Sequence, residues 1–159
     1  MTFVKPRSPL LRRSRAMLAA CLTVAAAAGS AQTGPQPRLP TTPLQAGMHV
    51  IQAELAVTPE QQAVGMMGRR EIPGNEGMLF VNESAGVRCF WMRNTLAPIT
   101  IAFIADDGTI VNLADMEPLS ERSHCSARPV RFALEMSRGW FARRGIQAGF
   151  RLRGAPFGN

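Results

Sequence analysis

The chain has 159 residues, with 18 lysines and arginines against 11 acidic residues, for a net charge of +7. Five of the basic residues and none of the acidic ones lie in residues 1–31, so the remainder carries 13 basic and 11 acidic side chains. Those arginines are scattered between acids and do not form the clustered cationic face that nucleic-acid binding needs, so we expect no nucleic-acid partner.

Residues 1–31 have the pattern of an export signal. Basic residues between Lys5 and Arg15 precede an apolar stretch from Ala16 to Ala28. That stretch is shorter than the roughly 20 apolar residues of a membrane-spanning helix, and the small residues 29–31 suit a signal peptidase. The sequence therefore predicts a signal peptide cleaved after Ala31 and an exported protein, periplasmic or extracellular.

A lipid anchor is the alternative way of processing the N-terminus. Leu18-Ala19-Ala20-Cys21 matches a lipobox, which would leave Cys21 acylated as the first residue. Only five residues separate Arg15 from Cys21, however, and an apolar region usually runs for about 7–15 residues. We therefore expect attachment to a membrane only if Cys21 is lipidated.

The rest of the chain is predicted to form one domain. Residues 32–46 are rich in proline, glutamine and threonine without apolar periodicity, which predicts a disordered tether. The folded domain is predicted over residues 47–154, too short for two hydrophobic cores, with a tail at residues 155–159.

The domain begins with a predicted strand and a predicted helix. Met48 to Val57 alternates in part and predicts a strand. In the stretch that follows, Thr58 fits a helix cap, Pro59 the first helical position, and Gln61 the far end of a capping box. The helix is predicted to run to about Met67.

The remaining elements read mostly as strands. Ile99 to Ile104 is nearly all apolar, so both of its faces should be covered, and residues 106–108 predict a hairpin turn. Val130 to Met136 alternates. Further predicted elements are strands at 78–81, 87–92, 109–115 and 150–153, a polar loop at 117–129, and a short helix or turn at 139–144. The pattern predicts an α+β fold that is β-rich, with a strongly bent mixed sheet or small barrel, one clear helix and one short helix.

Several blocks of residues also carry a family resemblance. They are Thr58-Pro59-Glu60, Gly65 to Arg70, Gly77 to Phe80, Phe90 to Leu96 with Pro98, and Gly145 to Gly149. In this order they resemble the DUF192 family, over about residues 51–152. The resemblance implies a compact β-rich domain, often exported, with no established reaction. Thr100 and Phe150 stand where the family usually has Asp, which puts acid-dependent chemistry at those two positions in doubt.

Arg93-Asn94-Thr95, with Arg69 and Trp91, is the densest group of polar and aromatic side chains. Arginine binds carboxylates through two parallel hydrogen bonds, and Asn and Thr add directional ones, so the group can form a pocket for an anionic or polyhydroxyl ligand. The alternative is a structural role, in which Asn94 and Thr95 bond nearby backbone and Trp91 packs in the core.

Glu135 is the acidic residue of interest in the alternating strand. It faces away from Phe132, Leu134 and Met136, and if it is buried it needs a partner. We favour an ion pair with an arginine, for which Arg69, Arg93 or Arg131 is available; a carboxylate base with a tuned pKa is the alternative. This leaves Glu135 as a ligand-binding candidate.

Cysteine and histidine offer little further chemistry. Cys89 and Cys125 remain after the leader, and an exported protein meets oxidising conditions, so we predict a disulfide, with two unrelated thiols as the alternative. His49 and His124 do not complete a metal-site spacing, and no metal ligands are predicted. Because phosphate-loop and nucleophile motifs are missing, we predict no cofactor and no catalytic residue.

Three hypotheses of function follow. The favoured one is a non-enzymatic exported domain that binds a small polar or anionic molecule, or a partner protein, at the surface formed by Arg69 and residues 91–95. The second is a hydrolase or carbohydrate-active enzyme that uses Glu135 with Arg69 and Asn94. The third is a structural module associated with the cell envelope.

Overall fold

The computed structural model describes residues 34–157, and this part of the chain is mostly β. The strands, in chain order, are β1 (Thr41–Ala46), β2 (His49–Ala56), β3 (Glu76–Gly86), β4 (Cys89–Phe90), β5 (Ile99–Ile104), β6 (Ile110–Met116), β7 (His124–Cys125) and β8 (Val130–Ser137). Six of them form one mixed sheet in the order β1-β2-β3-β8-β5-β6, and β4 pairs with β7 in a second, small sheet. The β2–β3 pair is parallel, and the other neighbours are antiparallel.

The helix content is lower than predicted. The helix α1 (Pro59–Val64) connects the parallel strands β2 and β3, and its capping box is present, with the Gln61 N–H donating to the Thr58 hydroxyl at 3.3 Å. It ends before Met67 because Gly65 adopts a φ of +49°, which leaves the helical region. The second predicted helix is a single 3₁₀ turn, Ala142–Arg144. The class is therefore mostly β, and the α+β prediction overstated the helix.

The sheet stays open within the described residues, with β1 and β6 as its edges. The predicted small barrel is therefore wrong. The predicted last strand is reduced to two isolated bridges: Arg153 pairs with Gln45 of β1, and Arg151 pairs with Thr109 just before β6. The C-terminal segment thus links the two edges at one end of the sheet without completing a ladder between them.

The hydrophobic core lies on both faces of the sheet. A first core cluster contains Leu79, Phe132, Leu134 and Met136, and a second core cluster contains Met66, Met78, Phe80, Ile101 and Phe103. Strand β5 is buried along its whole length, as its apolar run predicted. Residues 132, 134 and 136 of β8 alternate along the strand and point into the first cluster. Glu135 therefore faces the second cluster, on the side opposite to these residues, as predicted.

The predicted tether and tail are both corrected by the structure. Residues 41–46 form β1, and in the segment before it Gln36 is 9% exposed and donates to the carbonyls of Gln61 and Gly65, at 3.1 and 2.9 Å. Phe157 of the tail is buried with its ring centroid 5.1 Å from that of Phe132. The prediction failed because β1 is an edge strand in which only two residues are buried, too few to show a periodicity.

Some strand boundaries also differ from the prediction. Strand β3 is much longer than the predicted 78–81, while β4 keeps only two residues of the predicted 87–92. The predicted polar loop 117–129 contains β7. The predicted signal peptide and the candidate lipidation site Cys21 lie outside the described residues. No helix in the part of the chain that the structure describes is long and apolar enough to cross a membrane.

Candidate functional site

Two buried carboxyl groups lie in one row across the sheet. Glu54 of β2 pairs in register with Met78 of β3, and Met78 pairs with Glu135 of β8. Residues in register share a face, so both acids point toward the second core cluster, separated by one strand. Glu54 is 1% exposed and Glu135 is 4% exposed.

Glu54 is fully paired. Its two carboxylate oxygens accept hydrogen bonds from Arg69 at 2.6 and 2.7 Å, and further bonds come from the Leu39 N–H at 3.0 Å and from Arg38 at 2.8 Å. Burial by itself raises the pKa of Glu54, but the hydrogen bonds from Arg69, Leu39 and Arg38 outweigh it and hold that pKa below its ordinary value. Glu54 is therefore a carboxylate with its charge matched.

Glu135 has no such partner. No hydrogen bond from residues 34–157 reaches its carboxyl group, and burial raises its pKa from 4.5 to about 8, although the charge of Arg69 acts in the opposite direction. At neutral pH the group is therefore mostly a neutral carboxylic acid. A neutral acid can donate one hydrogen bond through its O–H and accept others.

The predicted ion pair of Glu135 with an arginine is wrong. The Arg69 guanidinium donates its two hydrogen bonds to Glu54, a partner that was not predicted from the sequence. Arg131 donates through Nε to the Asn82 carbonyl at 3.2 Å, and Arg93 lies at the surface with its Nε 3.8 Å from Glu121. The arginines considered for the ion pair are thus directed elsewhere.

Glu135 lies in the wall of a cavity of about 550 Å³. The cavity is bordered by α1 and the loop after it, by the inner part of β3, by residues 87–91 and by Thr95. Aromatic and thioether side chains form much of its lining, including Met66, Phe80, Phe90 and Trp91. Phe80 and Phe90 pack edge to face with their centroids 4.8 Å apart, and Trp91 is 50% exposed. The cavity therefore combines apolar and aromatic surface with polar groups, among them the buried acid in its wall.

A disulfide closes one side of this cavity. Cys89 of β4 and Cys125 of β7 face each other in register and are joined, so the alternative of two unrelated thiols does not describe this structure. Cys89 itself lines the cavity and precedes Phe90 and Trp91. The bond therefore ties the aromatic side of the cavity to the loop between β6 and β8.

The structure separates the predicted site residues into two groups. Trp91, Thr95 and Glu135 line the cavity, and Arg69 lies behind it as the partner of Glu54. Arg93 is exposed and is not part of the cavity lining.

Asn94 has a local structural role. It adopts a φ of +58°, which asparagine tolerates better than most residues, and its carbonyl accepts the Gly68 N–H at 2.8 Å. The Arg69 carbonyl accepts the Ala97 N–H at 2.9 Å, so the loops at 65–69 and 94–97 are joined through their backbones. Asn94 thus helps to join these two loops through its backbone, and it does not line the cavity.

Several residues of the site could not be recognised from the sequence. Glu54, the partner of Arg69, lies in the predicted strand 48–57, and Met66 and Phe80 lie in a predicted helix and a predicted strand, each without a predicted role at a site. Arg88 also borders the cavity, but its Nη2 donates to the Ser84 carbonyl at 2.6 Å and its Nε is buried without a partner. A single acid within an apolar strand, as in β2, was the one signal that could have identified Glu54.

The described residues were also compared with the ligand sets of metal sites. Across residues 34–157, no three His, Cys, Asp or Glu side chains are grouped so that they could hold a metal ion. The side chains at the cavity offer hydrogen bonding and proton binding at Glu135, together with apolar and aromatic packing.

Comparison with known proteins places this chain in a family. The family model DUF192, described as "Uncharacterized ACR", matches residues 42–154. A crystal structure of a protein from Sinorhizobium meliloti 1021, described as a "putative transcription regulator", is 38% identical, with a TM-score of 0.67, and the match covers 71% of this chain and 91% of that one. A protein of unknown function from Novosphingobium aromaticivorans DSM 12444 is 36% identical, with a TM-score of 0.69, over 73% of this chain and 86% of that one. No curated protein matches this chain. The chain belongs to the DUF192 family, as its signature blocks predicted.

Proposed function

We propose that this protein is a non-enzymatic binding protein that takes a small molecule into the cavity beside Glu135. The observation that carries the proposal is the buried carboxyl of Glu135, which no hydrogen bond from the described residues satisfies although it lines an open cavity. A ligand that displaces solvent from this carboxyl group must supply a hydrogen-bond partner in its place, because a polar group left without one costs roughly 1–3 kcal/mol. The polar group of the ligand therefore lies at Glu135.

The lining indicates the rest of the ligand. A volume of about 550 Å³ falls within the range of small-molecule sites, and Met66, Phe80, Phe90 and Trp91 offer apolar and aromatic surface. The hypothesis of an anionic ligand held by Arg69 is less well supported, because Arg69 already makes two hydrogen bonds to Glu54. The ligand is thus a molecule with an apolar body and one hydrogen-bonding group.

The experiment is a binding screen with matched tryptophan variants. Ala63 is exposed on α1 and lines the cavity, so Ala63→Trp should block it, whereas Ala148 is exposed and lies outside the cavity lining, so Ala148→Trp is the control. A fragment library and cell extracts are screened by thermal shift, and hits are measured by calorimetry. Ligands should bind the wild type and the Ala148 variant but not the Ala63 variant. If no compound binds, or if binding ignores Ala63→Trp, the proposed function is wrong.

Export is the second part of the proposal. The disulfide between Cys89 and Cys125 supports an oxidising compartment, in line with the predicted signal peptide. We propose a periplasmic or extracellular location, with membrane attachment only through Cys21. Mass spectrometry of the mature protein decides between the two forms, since soluble protein begins at Gln32 and a lipoprotein begins at acylated Cys21.

We also propose that nucleic acid is not a partner. The S. meliloti protein is described as a "putative transcription regulator", but several arginines of the present chain, such as Arg38, Arg69 and Arg138, lie in ion pairs with acidic side chains. Binding to nucleic acid depends on cationic side chains that neutralise phosphates, and these arginines already face acidic partners. Binding of labelled duplex DNA at micromolar protein and low salt would contradict this part of the proposal.

An enzyme that uses Glu135 as a general acid is a second candidate. A carboxyl group with a pKa of about 8 is protonated at pH 7, as a general acid must be. Against this, Glu135 is the only acidic side chain among the described residues that line the cavity, and Asn94 does not line it, whereas glycoside hydrolysis commonly uses two carboxylates. Turnover of chromogenic glycosides or esters, abolished in Glu135→Gln, would favour this candidate. A protein with neither binding nor turnover would fit the structural envelope module.

A further inference from the structure

We propose that the polar group which this cavity accepts is an ammonium group, so that its ligands are organic amines with an apolar or aromatic body. This inference rests on the proposed binding function and names the ligand class of the same cavity. It stands on the charges placed around Glu135 and on the nature of the surrounding side chains.

The ionised form of Glu135 has no cation of its own among the surrounding side chains. In register with it on the neighbouring strands are Met78 of β3 and Ile101 of β5, which are uncharged, and one strand further lies Glu54. Arg69 is the cation that acts on Glu135, and it is bonded to Glu54 through two hydrogen bonds. When Glu135 is ionised, two buried carboxylates share the one guanidinium of Arg69. A ligand cation at Glu135 balances the charge of that ionised form, whereas a ligand carboxylate adds a further negative charge.

Arg38 and Arg88 do not provide a cation for the ionised form of Glu135. Arg38 bonds both Glu54 and Glu76, so its charge is matched at the outer end of the row. Arg88 borders the cavity, but its guanidinium donates to the Ser84 carbonyl, and its Cζ lies 3.4 Å from where a Cβ on Gly86 would be. The Arg88 guanidinium is therefore turned back toward the end of β3, and Arg69 is the arginine whose charge acts on the acid.

The remaining lining suits a cation as well as an apolar body. Aromatic rings carry negative charge on their faces and attract ammonium groups, and thioethers are polarizable. Phe80, Phe90 and Trp91 contribute rings to the cavity, and Met66 and Met67 contribute sulfur. From α1 the cavity receives Gln62 and Ala63, which carry no charge. An amine in the cavity thus meets aromatic and thioether side chains as well as the acid.

Binding of an amine changes the proton content of the site. Below pH 8 the free protein holds Glu135 as the neutral acid, and a ligand ammonium requires the carboxylate. The carboxyl O–H bond breaks and its proton passes to solvent, while the ammonium keeps its own three protons. One proton is therefore released for each amine bound, and affinity for the amine should rise about tenfold per pH unit up to about pH 8.

The test compares three probes with the same aromatic body: 2-phenylethylamine, 2-phenylethanol and phenylacetate. Each is titrated into the full protein by calorimetry at pH 6, 7 and 8, in two buffers of different ionisation heat so that released protons are counted. Glu135→Gln keeps the shape of the side chain and removes its charge, and Glu83→Gln, an exposed acid on the same sheet, is the control. The amine should bind best, release one proton below pH 8, and lose at least about tenfold in affinity only in Glu135→Gln.

The outcomes separate this inference from the function on which it rests. If the alcohol binds better than the amine, or if amine affinity does not change between pH 6 and 8, the inference is overturned while binding in the cavity stands. A preference for phenylacetate overturns it in the same way. If none of the three probes binds at millimolar concentration, the inference is also wrong, and the screen with Ala63→Trp decides the proposed function separately.

Discussion

Replacing the buried Glu135 by glutamine should stabilise the protein at neutral and alkaline pH, whereas most mutations in a core destabilise it. Burial raises the pKa of Glu135 from 4.5 to about 8, so the folded protein holds this proton more tightly than the unfolded chain does. The stability that this group contributes is therefore complete below about pH 4.5 and is lost as the pH rises through 8. Over that range the loss amounts to about 5 kcal/mol, since one pKa unit is worth about 1.4 kcal/mol.

Glutamine has nearly the same shape and does not titrate. The free energy of unfolding of Glu135→Gln minus that of the wild type should therefore increase by about 1.4 kcal/mol for each pH unit between pH 5 and 8. Other titrating groups are common to both proteins and cancel in the difference. At pH 5 the two proteins should differ by less than about 1 kcal/mol, because the acid is then protonated in the folded state.

Urea unfolding followed by tryptophan fluorescence measures this difference. Trp140 is fully buried in the fold and reports its loss, and the series runs from pH 4.5 to 8.5 in steps of half a unit. Glu83→Gln, at an exposed position, is the control and should show no pH-dependent difference from the wild type. A difference between Glu135→Gln and the wild type that stays constant with pH would show that Glu135 is ionised in the folded protein, and the reasoning from burial would fail.

Three further predictions concern the surroundings of the cavity. Arg69→Met leaves the Glu54 carboxylate buried without its two hydrogen bonds and should cost about 3–5 kcal/mol in urea unfolding, with partial recovery in Arg69→Lys; a cost below about 1 kcal/mol would contradict the pairing. The double variant Cys89→Ala/Cys125→Ala removes a crosslink with a sequence separation of 36 and should lose about 4 kcal/mol, and a wild type insensitive to reductant would argue against the bond. Arg93→Ala should change the free energy of unfolding in urea by no more than about 0.5 kcal/mol and should leave the thermal shift produced by a ligand unchanged, because Arg93 is exposed and lies outside the cavity lining. Loss of the thermal shift in this variant would show that Arg93 takes part in binding.

Local rules were sufficient for several elements of this fold. The capping box of Thr58 and Gln61 fixes the start of α1 through bonds within one turn, and the apolar run of β5 follows from burial on both faces. The alternation of β8 was enough to place Glu135 on the opposite face from Phe132. In each case the deciding interaction lies within the element itself or follows from its period.

Other predictions failed where partners are distant in sequence. Residues 41–46 become a strand because they pair with β2, and Gln36 is held by carbonyls near residue 65. Neither interaction leaves a periodic pattern in a short polar segment. Likewise, Arg93 and Asn94 lie within three residues of Trp91 in the chain, but they do not line the cavity that Trp91 lines.

The family, the β-rich character and the presence of an acid on the face of β8 opposite to Phe132 could be predicted, because they depend on residue type and local spacing. The acid with which Arg69 pairs could be identified only from the folded chain. Glu54 and Glu135 lie 81 positions apart in the chain but in one row of the sheet, and the guanidinium that bonds the first leaves the second buried without a partner. That choice depends on the order of strands and the distances between side chains, which residue spacing does not encode.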